Sequence, residues 1–263
     1  MPGAEADADD LALLREAARE AGVIAMRYFR KDPEVWMKEG ASPVSEADYA
    51  VDRFLRETLL AARPGYGWLS EETADGAERL AKRRTFVVDP IDGTRAFIDG
   101  RTTWCVSVAV VEEGISRCGV LDCPAKATVF SAAATRGAFQ DGGALSVRTA
   151  AERLRVGGPK ALLKAMPDEI RARAADVPYI PSLAYRIALI ANGGLDATFV
   201  KPNARDWDLA AADVILREAG GRILDSTGRQ PLYAGVETRH GALVAGSGSL
   251  LDAIAGAIVD AEA

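Results

Sequence analysis

Residues 87–94, with the sequence VVDPIDGT, contain the side chains best suited to chemistry. They predict a buried strand that ends at Asp89, turns through Pro90 and offers a second carboxylate at Asp92. Mg²⁺ prefers oxygen ligands, so both acids and the carbonyl of Ile91 are candidate ligands. The alternative is an ordinary Asp-Pro turn followed by a glycine turn.

The residues that follow Asp92 favour the binding of a phosphate group. Gly93 has no Cβ, so an anion can approach the backbone closely there. The N–H groups of Gly93, Thr94 and Arg95 are predicted to open a short helix, whose amino end attracts anions. A phosphate is therefore expected beside the candidate metal ligands.

A further acid is expected where a short strand ends, at the pair Glu71 and Glu72. Adjacent residues of an extended segment point to opposite faces, so only one of the two can face a given site. We favour Glu71. The alternative is a solvated loop edge.

Two more acids stand at predicted helix starts. Asp48 lies in the first turn of a helix capped by Ser45, and Asp208 precedes a helix predicted over 209–219. Each has a structural alternative, since Asp48 can complement the helix dipole and Asp208 can be an N-cap.

Together, four of these acids suggest a centre with two metal ions. Such centres hold two Mg²⁺ ions about 3.5–4 Å apart, which activate a water and stabilise the leaving oxygen of a phosphate ester. Phosphate monoesters are among the slowest substrates to hydrolyse unaided, so neutralising the phosphate oxygens and orienting a water are the most important effects. The four acids are Glu71, Asp89, Asp92 and Asp208.

The composition is that of an ordinary soluble protein, with 49% apolar and 27% charged residues among 263. The net charge of -6 argues against a nucleic-acid polymer as partner, although bound metals still permit a small anionic substrate. No stretch approaches the roughly 18 apolar residues of a membrane span, and the acidic start is unlike a secretory leader. We therefore expect a cytoplasmic protein without a membrane partner.

Cysteine and histidine usage narrows the chemistry further. Cys105, Cys118 and Cys123 lack metal-type spacing and are expected to be reduced and buried. His240 is the only histidine, which nearly excludes chemistry that needs several histidines. We expect it to close a strand rather than to line the pocket.

The chain divides into two parts by its pattern of elements. Residues 1–150 predict two helices, 10–30 and 45–62, against an antiparallel sheet that carries the metal motifs. Residues 151–263 alternate short strands and helices, among them a helix at 161–174, and are expected to close the active site.

Five motifs resemble the inositol monophosphatase superfamily of lithium-sensitive phosphatases. They occur in that family's order over nearly the whole chain. They are SPVSEAD at 42–48, SEE at 70–72, DPIDGT at 89–94, WDLAAA at 207–212 and EAGG at 218–221. The resemblance implies an α+β fold, an α-β-α-β-α layered sandwich.

The resemblance also implies a set of metal ligands. Glu71, Asp89 and the Ile91 carbonyl would hold one Mg²⁺, while Asp89, Asp92 and Asp208 would hold a second. A third Mg²⁺ is left open. Inhibition by lithium and a homodimer are expected by resemblance alone.

The same resemblance implies roles around the metals. Asp48 and Thr94 would pair to orient the attacking water, with Glu71 beside them as a catalytic residue. The positions implied at the substrate are Asp92, Gly93, Thr94 and Asp208.

The expected substrate is a small phosphate ester. In inositol monophosphatases a carboxylate shortly before the Trp-Asp motif contacts the sugar hydroxyls, whereas here residues 199–205 read FVKPNAR. The runs 89–100 and 182–186 look more like bacterial 3'(2'),5'-bisphosphate nucleotidases of the CysQ type, which convert adenosine 3',5'-bisphosphate to AMP. We hypothesise that Lys201 or Arg186 neutralises a second phosphate, the alternative being that both are ordinary surface cations.

Other functions stay open at this stage. Inositol-1-phosphate and histidinol phosphate are the alternative substrates. A regulatory binding protein that keeps the fold without turnover is the alternative from another class, although the intact set of acids argues against it.

Overall fold

The computed structural model describes residues 2–37, 43–149, 151–164 and 166–258. The loop expected at residues 38–43 therefore lies, except for Pro43, outside the described residues. The helices are α1 (Pro2–Tyr28), α2 (Glu46–Ala62), α3 (Thr94–Ile98), α4 (Lys160–Lys164), α5 (Asp168–Arg173), α6 (Leu183–Ala191), α7 (Asp206–Glu218) and α8 (Gly248–Ala257). None of the helices in these ranges is long and apolar enough to cross a membrane.

The strands form three sheets. They are β1 (Val35–Met37), β2 (Pro43–Ser45), β3 (Gly67–Ser70), β4 (Arg84–Asp92), β5 (Cys105–Glu112), β6 (Ile115–Cys123), β7 (Thr128–Ala133), β8 (Ala138–Gln140), β9 (Gly143–Ala144), β10 (Val156–Gly157), β11 (Ala197–Val200), β12 (Arg222–Asp225) and β13 (Leu243–Gly246). Strands β1 and β2 pair with each other, β3 to β9 form a sheet in chain order, and the third sheet has the order β10-β11-β13-β12.

The seven-stranded sheet is antiparallel except at one edge, where β3 runs parallel to β4. The expectation of a purely antiparallel sheet is wrong there, because β3 connects to β4 by a crossover that contains a 3₁₀ turn at Ala77–Ala81. Parallel strands end at the same edge of a sheet, and Ser70 is paired with Val88. Glu71 therefore follows β3 beside the position where β4 reaches Asp89.

Helices and sheets alternate in five layers, which confirms the α-β-α-β-α sandwich. Helices α1 and α2 pack on one face of the large sheet, and α6 and α7 pack on the other. The four-stranded sheet lies beyond α6, with α8 against its β13 strand. The first-part sheet and the second-part helices share one core, whereas the boundary at residue 150 stays a prediction.

Helix α7 approaches the large sheet very closely at a glycine. A Cβ placed on Gly119 of β6 would lie 2.8 Å from the Cα of Ala211 and 2.9 Å from its carbonyl oxygen. Only the absence of a side chain at Gly119 permits this distance. The close approach places the second turn of α7 directly against β6.

Several element boundaries differ from those expected. The helix expected at 161–174 is two short helices, α4 and α5, because Pro167 disfavours helical backbone before it and stands as the N-cap of α5. Helix α7 begins at Asp206 instead of Leu209, and α1 begins at Pro2 instead of Asp10. The strand expected at 153–156 is observed at Val156–Gly157, and Leu154 forms only an isolated bridge with Ala174.

A buried ionic network fastens α1 to the large sheet. The Arg84 guanidinium at the start of β4 donates to Asp10 Oδ2 at 2.7 Å, Asp7 Oδ1 at 2.8 Å and Glu112 Oε2 at 2.9 Å. Asp7 and Asp10 are both fully buried on α1. Removing one partner of such a network leaves buried charges without compensation.

Arg84→Gln should lower the free energy of unfolding by about 3–5 kcal/mol, measured by urea denaturation. The matched control is Arg83→Gln, since Arg83 also pairs with Glu112 but its side chain is 81% exposed. An exposed pair contributes under about 1 kcal/mol. Equal effects of the two substitutions would show that the network does not secure α1.

Candidate active site

A bulge in β4 brings Asp89 and Asp92 to the same site. Residues three apart on a regular strand point to opposite faces. In the pairing with β5, however, Asp89 is opposite Ser107 and Asp92 is opposite Cys105, so β4 has one extra residue between them. This bulge, at Pro90 and Ile91, redirects the chain. Both carboxylates are buried.

Asp208 reaches these two acids from the second part of the chain. Its Oδ2 accepts the backbone N–H of Arg205 at 2.8 Å, which holds the carboxylate at the start of α7. Oxygens of Asp89, Asp92 and Asp208 all lie within 4.8 Å of one another. The N-cap is Arg205, so Asp208 is the third residue of α7 and not its cap.

The proximity of these acids has an electrostatic consequence. Burial raises the pKa of Asp89 well above its usual range, and the charges of Glu71, Asp92 and Asp208 raise it further. The Asp208 residue is partly exposed, but its carboxylate is enclosed by protein. Burial, and then the charge of Asp92, raises the pKa of Asp208 to about 8. Such oxygens, mutually repelling and out of water, fit a hard divalent cation.

Glu71 stands beside this group. Its backbone N–H donates to the carbonyl of Val88 at 3.2 Å, which continues the pairing of β3 with β4. Its charge raises the pKa of both Asp89 and Asp208, as expected of a neighbouring acid. The carboxylate is not one of the three whose oxygens lie within 4.8 Å of one another.

Asp48 and Thr94 lie next to the acids and contact each other. Asp48 Oδ2 accepts the Ser45 backbone N–H at 2.8 Å and the Ser45 hydroxyl at 2.6 Å. Its Oδ1 lies 3.4 Å from Thr94 Oγ1, which is also 3.1 Å from the carbonyl oxygen of Ile91. The Thr94 hydroxyl is therefore held between one acid and one candidate ligand carbonyl.

Gly93 sets the backbone for the start of α3. Its φ of 97° is in the left-handed region, and a Cβ there would lie 3.0 Å from Ser182 Cβ and 3.1 Å from the Thr103 carbonyl. Glycine is the residue that adopts this conformation at little cost. The turn places the N–H groups of Thr94 and Arg95 in the first turn of α3.

Two supporting interactions were not expected from the sequence, and one involves the start of α6. Asp92 Oδ2 accepts hydrogen bonds from the Ser182 hydroxyl and from Ala184 N–H at 2.7 Å, and Oδ1 accepts from Leu183 N–H at 3.2 Å. Serine is a common helix cap, which agrees with Ser182 at the start of α6, but no local pattern indicates a partner 90 residues away.

The second unexpected interaction fixes the segment after β3. Asp52 of α2 accepts hydrogen bonds from the Ser70 hydroxyl and from Thr73 Oγ1, the latter at 2.6 Å. Ser70 and Thr73 lie on either side of Glu71 in the sequence. The position of Asp52, one helical turn after Asp48, was the available signal, because such residues share a helix face.

The basic residues singled out for the substrate have different surroundings. Arg186 is buried, and its guanidinium donates to Thr198 Oγ1 at 2.8 Å, to the Ile180 carbonyl at 2.9 Å and to the Phe199 carbonyl at 3.3 Å. The surface alternative is thus wrong for Arg186, whose donors are directed to protein acceptors. Lys201, just after β11, is exposed.

His240 has a buried carboxylate as its partner. Its Nε2 lies 2.7 Å from Asp206 Oδ1, and Asp206 is fully buried at the start of α7. Its backbone N–H donates to the Ala204 carbonyl at 2.9 Å. These contacts join His240 to the segment before α7.

The cysteines are free and buried, as expected.

Comparisons with known proteins agree with this geometry. The model of the inositol monophosphatase family matches residues 7–263. A histidinol-phosphatase of Mycobacterium tuberculosis is 35% identical over 84% of this chain and 88% of its own length. A CysQ 3'(2'),5'-bisphosphate nucleotidase of Aggregatibacter actinomycetemcomitans is 30% identical over 80% of this chain and 82% of its own.

A solved structure agrees as well. The extragenic suppressor protein suhB of Bartonella henselae aligns with a TM-score of 0.81 and 25% identity, over 95% of this chain and 98% of its own. Fold and family model thus agree along nearly the whole chain. The chain therefore belongs to the inositol monophosphatase family and is a phosphatase.

Proposed function

We propose that the protein is a Mg²⁺-dependent phosphomonoesterase and that its preferred substrate is a 3'(2'),5'-bisphosphate nucleotide. The observation that carries the phosphatase chemistry is the convergence of Asp89, Asp92 and Asp208 within 4.8 Å, from two distant parts of the chain. Carboxylates in this arrangement suit hard cations.

The proposed metal ligands are supported by this geometry for Asp89, Asp92 and Asp208, and by the family resemblance for Glu71 and the Ile91 carbonyl. Glu71, Asp89 and the Ile91 carbonyl would hold one Mg²⁺, and Asp89 with Asp92 and Asp208 would hold the other. When bound, the ions would activate a water and neutralise charge on the phosphate oxygens. Asp92 is prepared for this role because three donors at the start of α6 fix its carboxylate.

Asp48, Thr94 and Glu71 would position the attacking water. Asp48 Oδ2 is engaged by Ser45, which leaves Oδ1 directed at the Thr94 hydroxyl. A hydroxyl held in this way can accept a hydrogen bond from water while it donates one to Asp48 or to the Ile91 carbonyl. The backbone N–H groups of Gly93 and Thr94 would bind the phosphate.

Substrate preference depends on groups outside the acid cluster. Lys201 is exposed near the start of α7 and suits the binding of a second phosphate. The guanidinium of Arg186 donates to protein acceptors, so Arg186 would affect the substrate only as a positive charge at a distance. Histidinol phosphate is the second candidate, since a mycobacterial histidinol-phosphatase is among the relatives that match most of this chain. The homodimer, the cytoplasmic location, the lithium inhibition and a third Mg²⁺ remain predictions.

Phosphate release should depend on Mg²⁺ and should be faster for adenosine 3',5'-bisphosphate than for histidinol phosphate or inositol 1-phosphate. The measurement is colorimetric phosphate release with Mg²⁺ present and with chelator. A clear preference for histidinol phosphate would replace the nucleotidase proposal. No release from any of the three would favour the regulatory binding protein.

Thr94→Ala should lower kcat by about 10²–10⁴-fold with little change in KM, because the hydroxyl acts on the water and not on substrate binding. Thr94→Ser is the matched control, since it keeps the hydroxyl and should retain most of the activity. If both variants were equally active, Thr94 would not orient the nucleophile.

Mg²⁺ at about 100 times its Kd should raise the Tm of the wild-type protein by about 5–10 °C, and Asp208→Asn should lose most of this shift. In chelator the same variant should melt at or above the wild-type temperature, since it removes a repulsion from the cluster. Asp252→Asn, an exposed acid on α8, serves as control. An unchanged Mg²⁺ shift in Asp208→Asn would remove Asp208 from the ligand set.

A further inference from the structure

Residues 234–240 are fastened over the start of α7 by Asp206. This fully buried carboxylate accepts the Ala234 backbone N–H at 2.6 Å and lies 2.7 Å from His240 Nε2. The Asp206 backbone N–H also donates to the Thr238 carbonyl at 3.0 Å. The segment therefore has a fixed position next to Asp208.

Arg79 secures the same segment from the β3–β4 crossover. Its guanidinium is buried and donates to the carbonyls of Ala234 at 2.7 Å and Gly235 at 2.9 Å, and it also pairs with Asp75. Buried hydrogen bonds to charged groups are among the stronger ones in a fold. The two ends of the segment are thus both held to the protein.

This arrangement places two arginines opposite each other. Arg205 and Arg239 form an isolated antiparallel bridge. Side chains directly opposite in such a pair lie on the same side, with Cβ atoms about 4.5–5.5 Å apart, and like charges there are destabilising. A bound anion would relieve that repulsion.

The two guanidinium groups differ in how far the protein engages them. Arg205 lies over the ring of Trp207 at 5.6 Å and donates to Thr238 Oγ1 at 3.3 Å. Its backbone N–H donates to Asp208 Oδ2 at 2.8 Å, which places Arg205 beside the acid cluster. Within the described part of the chain, the exposed Arg239 guanidinium has no ion pair, and the nearby Glu237 accepts the Arg239 backbone N–H at 2.8 Å.

We propose that Arg205 and Arg239 form an anion subsite that binds a second phosphate of the substrate, the one that is not hydrolysed. The proposal rests on the phosphatase function above and names its substrate class as bisphosphorylated. Guanidinium groups bind phosphate oxygens through two parallel hydrogen bonds, which suits a fixed pair of arginines. Lys201, on the same connection before α7, adds a positive charge near this subsite.

The experiment compares adenosine 3',5'-bisphosphate with adenosine 3'-monophosphate, which differ only in the second phosphate. Arg239→Gln should lower kcat/KM for the bisphosphate by about 10–100-fold, the loss of one or two charged hydrogen bonds, and change that for the monophosphate by less than about threefold. Arg239→Lys should restore part of the preference. Added salt should weaken the wild-type preference because the contacts are ionic.

Arg222→Gln is the control, an exposed arginine of β12 paired with Asp252 on α8. It should leave the ratio of the two kcat/KM values unchanged. Wild-type activity without any preference for the bisphosphate, or an equal loss on both substrates in Arg239→Gln, would overturn the subsite and leave the phosphatase function intact. Absence of phosphate release by the wild-type protein from either compound, with release from histidinol phosphate or inositol 1-phosphate, would overturn the subsite and the nucleotide substrate but not the phosphatase function. Absence of release from all four compounds would overturn the phosphatase function as well.

Discussion

Repulsion among buried carboxylates is the constraint on which the rest of the structure depends. Carboxylate oxygens of Asp89, Asp92 and Asp208 lie within 4.8 Å of one another. The charges of Glu71 and Asp48 raise the pKa of Asp89 further. Acids so close and so dry are unfavourable in a fold unless they are held in place and given a cation. The protein holds them mainly with backbone N–H groups: Arg205 for Asp208, Ser45 for Asp48, and Leu183 and Ala184 for Asp92.

These restraints come from elements that are far apart in the chain, so the site exists only if the layers pack correctly. The bulge in β4 turns Asp92 toward α6, and the parallel pairing of β3 with β4 brings Glu71 beside Asp89. The contact of Gly119 with Ala211 lets α7, which carries Asp208, pack directly against the sheet. Convergence of the acids therefore depends on correct packing of the core.

The sequence was sufficient for the features that repeat locally or form compact motifs. Asp89, Asp92 and Asp208 were identified from the strand end and helix start that carry them, and the five layers followed from the resemblance. Pairings across long separations were not accessible, because local patterns do not specify a partner: Ser182 with Asp92, Asp52 with Ser70, and the parallel β3 edge. The single helix predicted at 161–174 is wrong because Pro167 disfavours helical backbone in the residue before it.

The separation between the acid cluster and the groups outside it explains why relatives with similar identities differ in their named substrates. At 35% and 30% identity, a histidinol-phosphatase and a bisphosphate nucleotidase cover similar shares of this chain, so overall identity does not discriminate between them. The acid cluster acts on the phosphate that all such substrates share. Discrimination must therefore come from groups that contact the remainder of the substrate, and loops carry such groups on a rigid scaffold. Residues 201–205 and 234–240 are the segments proposed for this role here, since contacts with Asp206 and Arg79 hold 234–240 at the start of α7 while Lys201 and Arg239 are exposed.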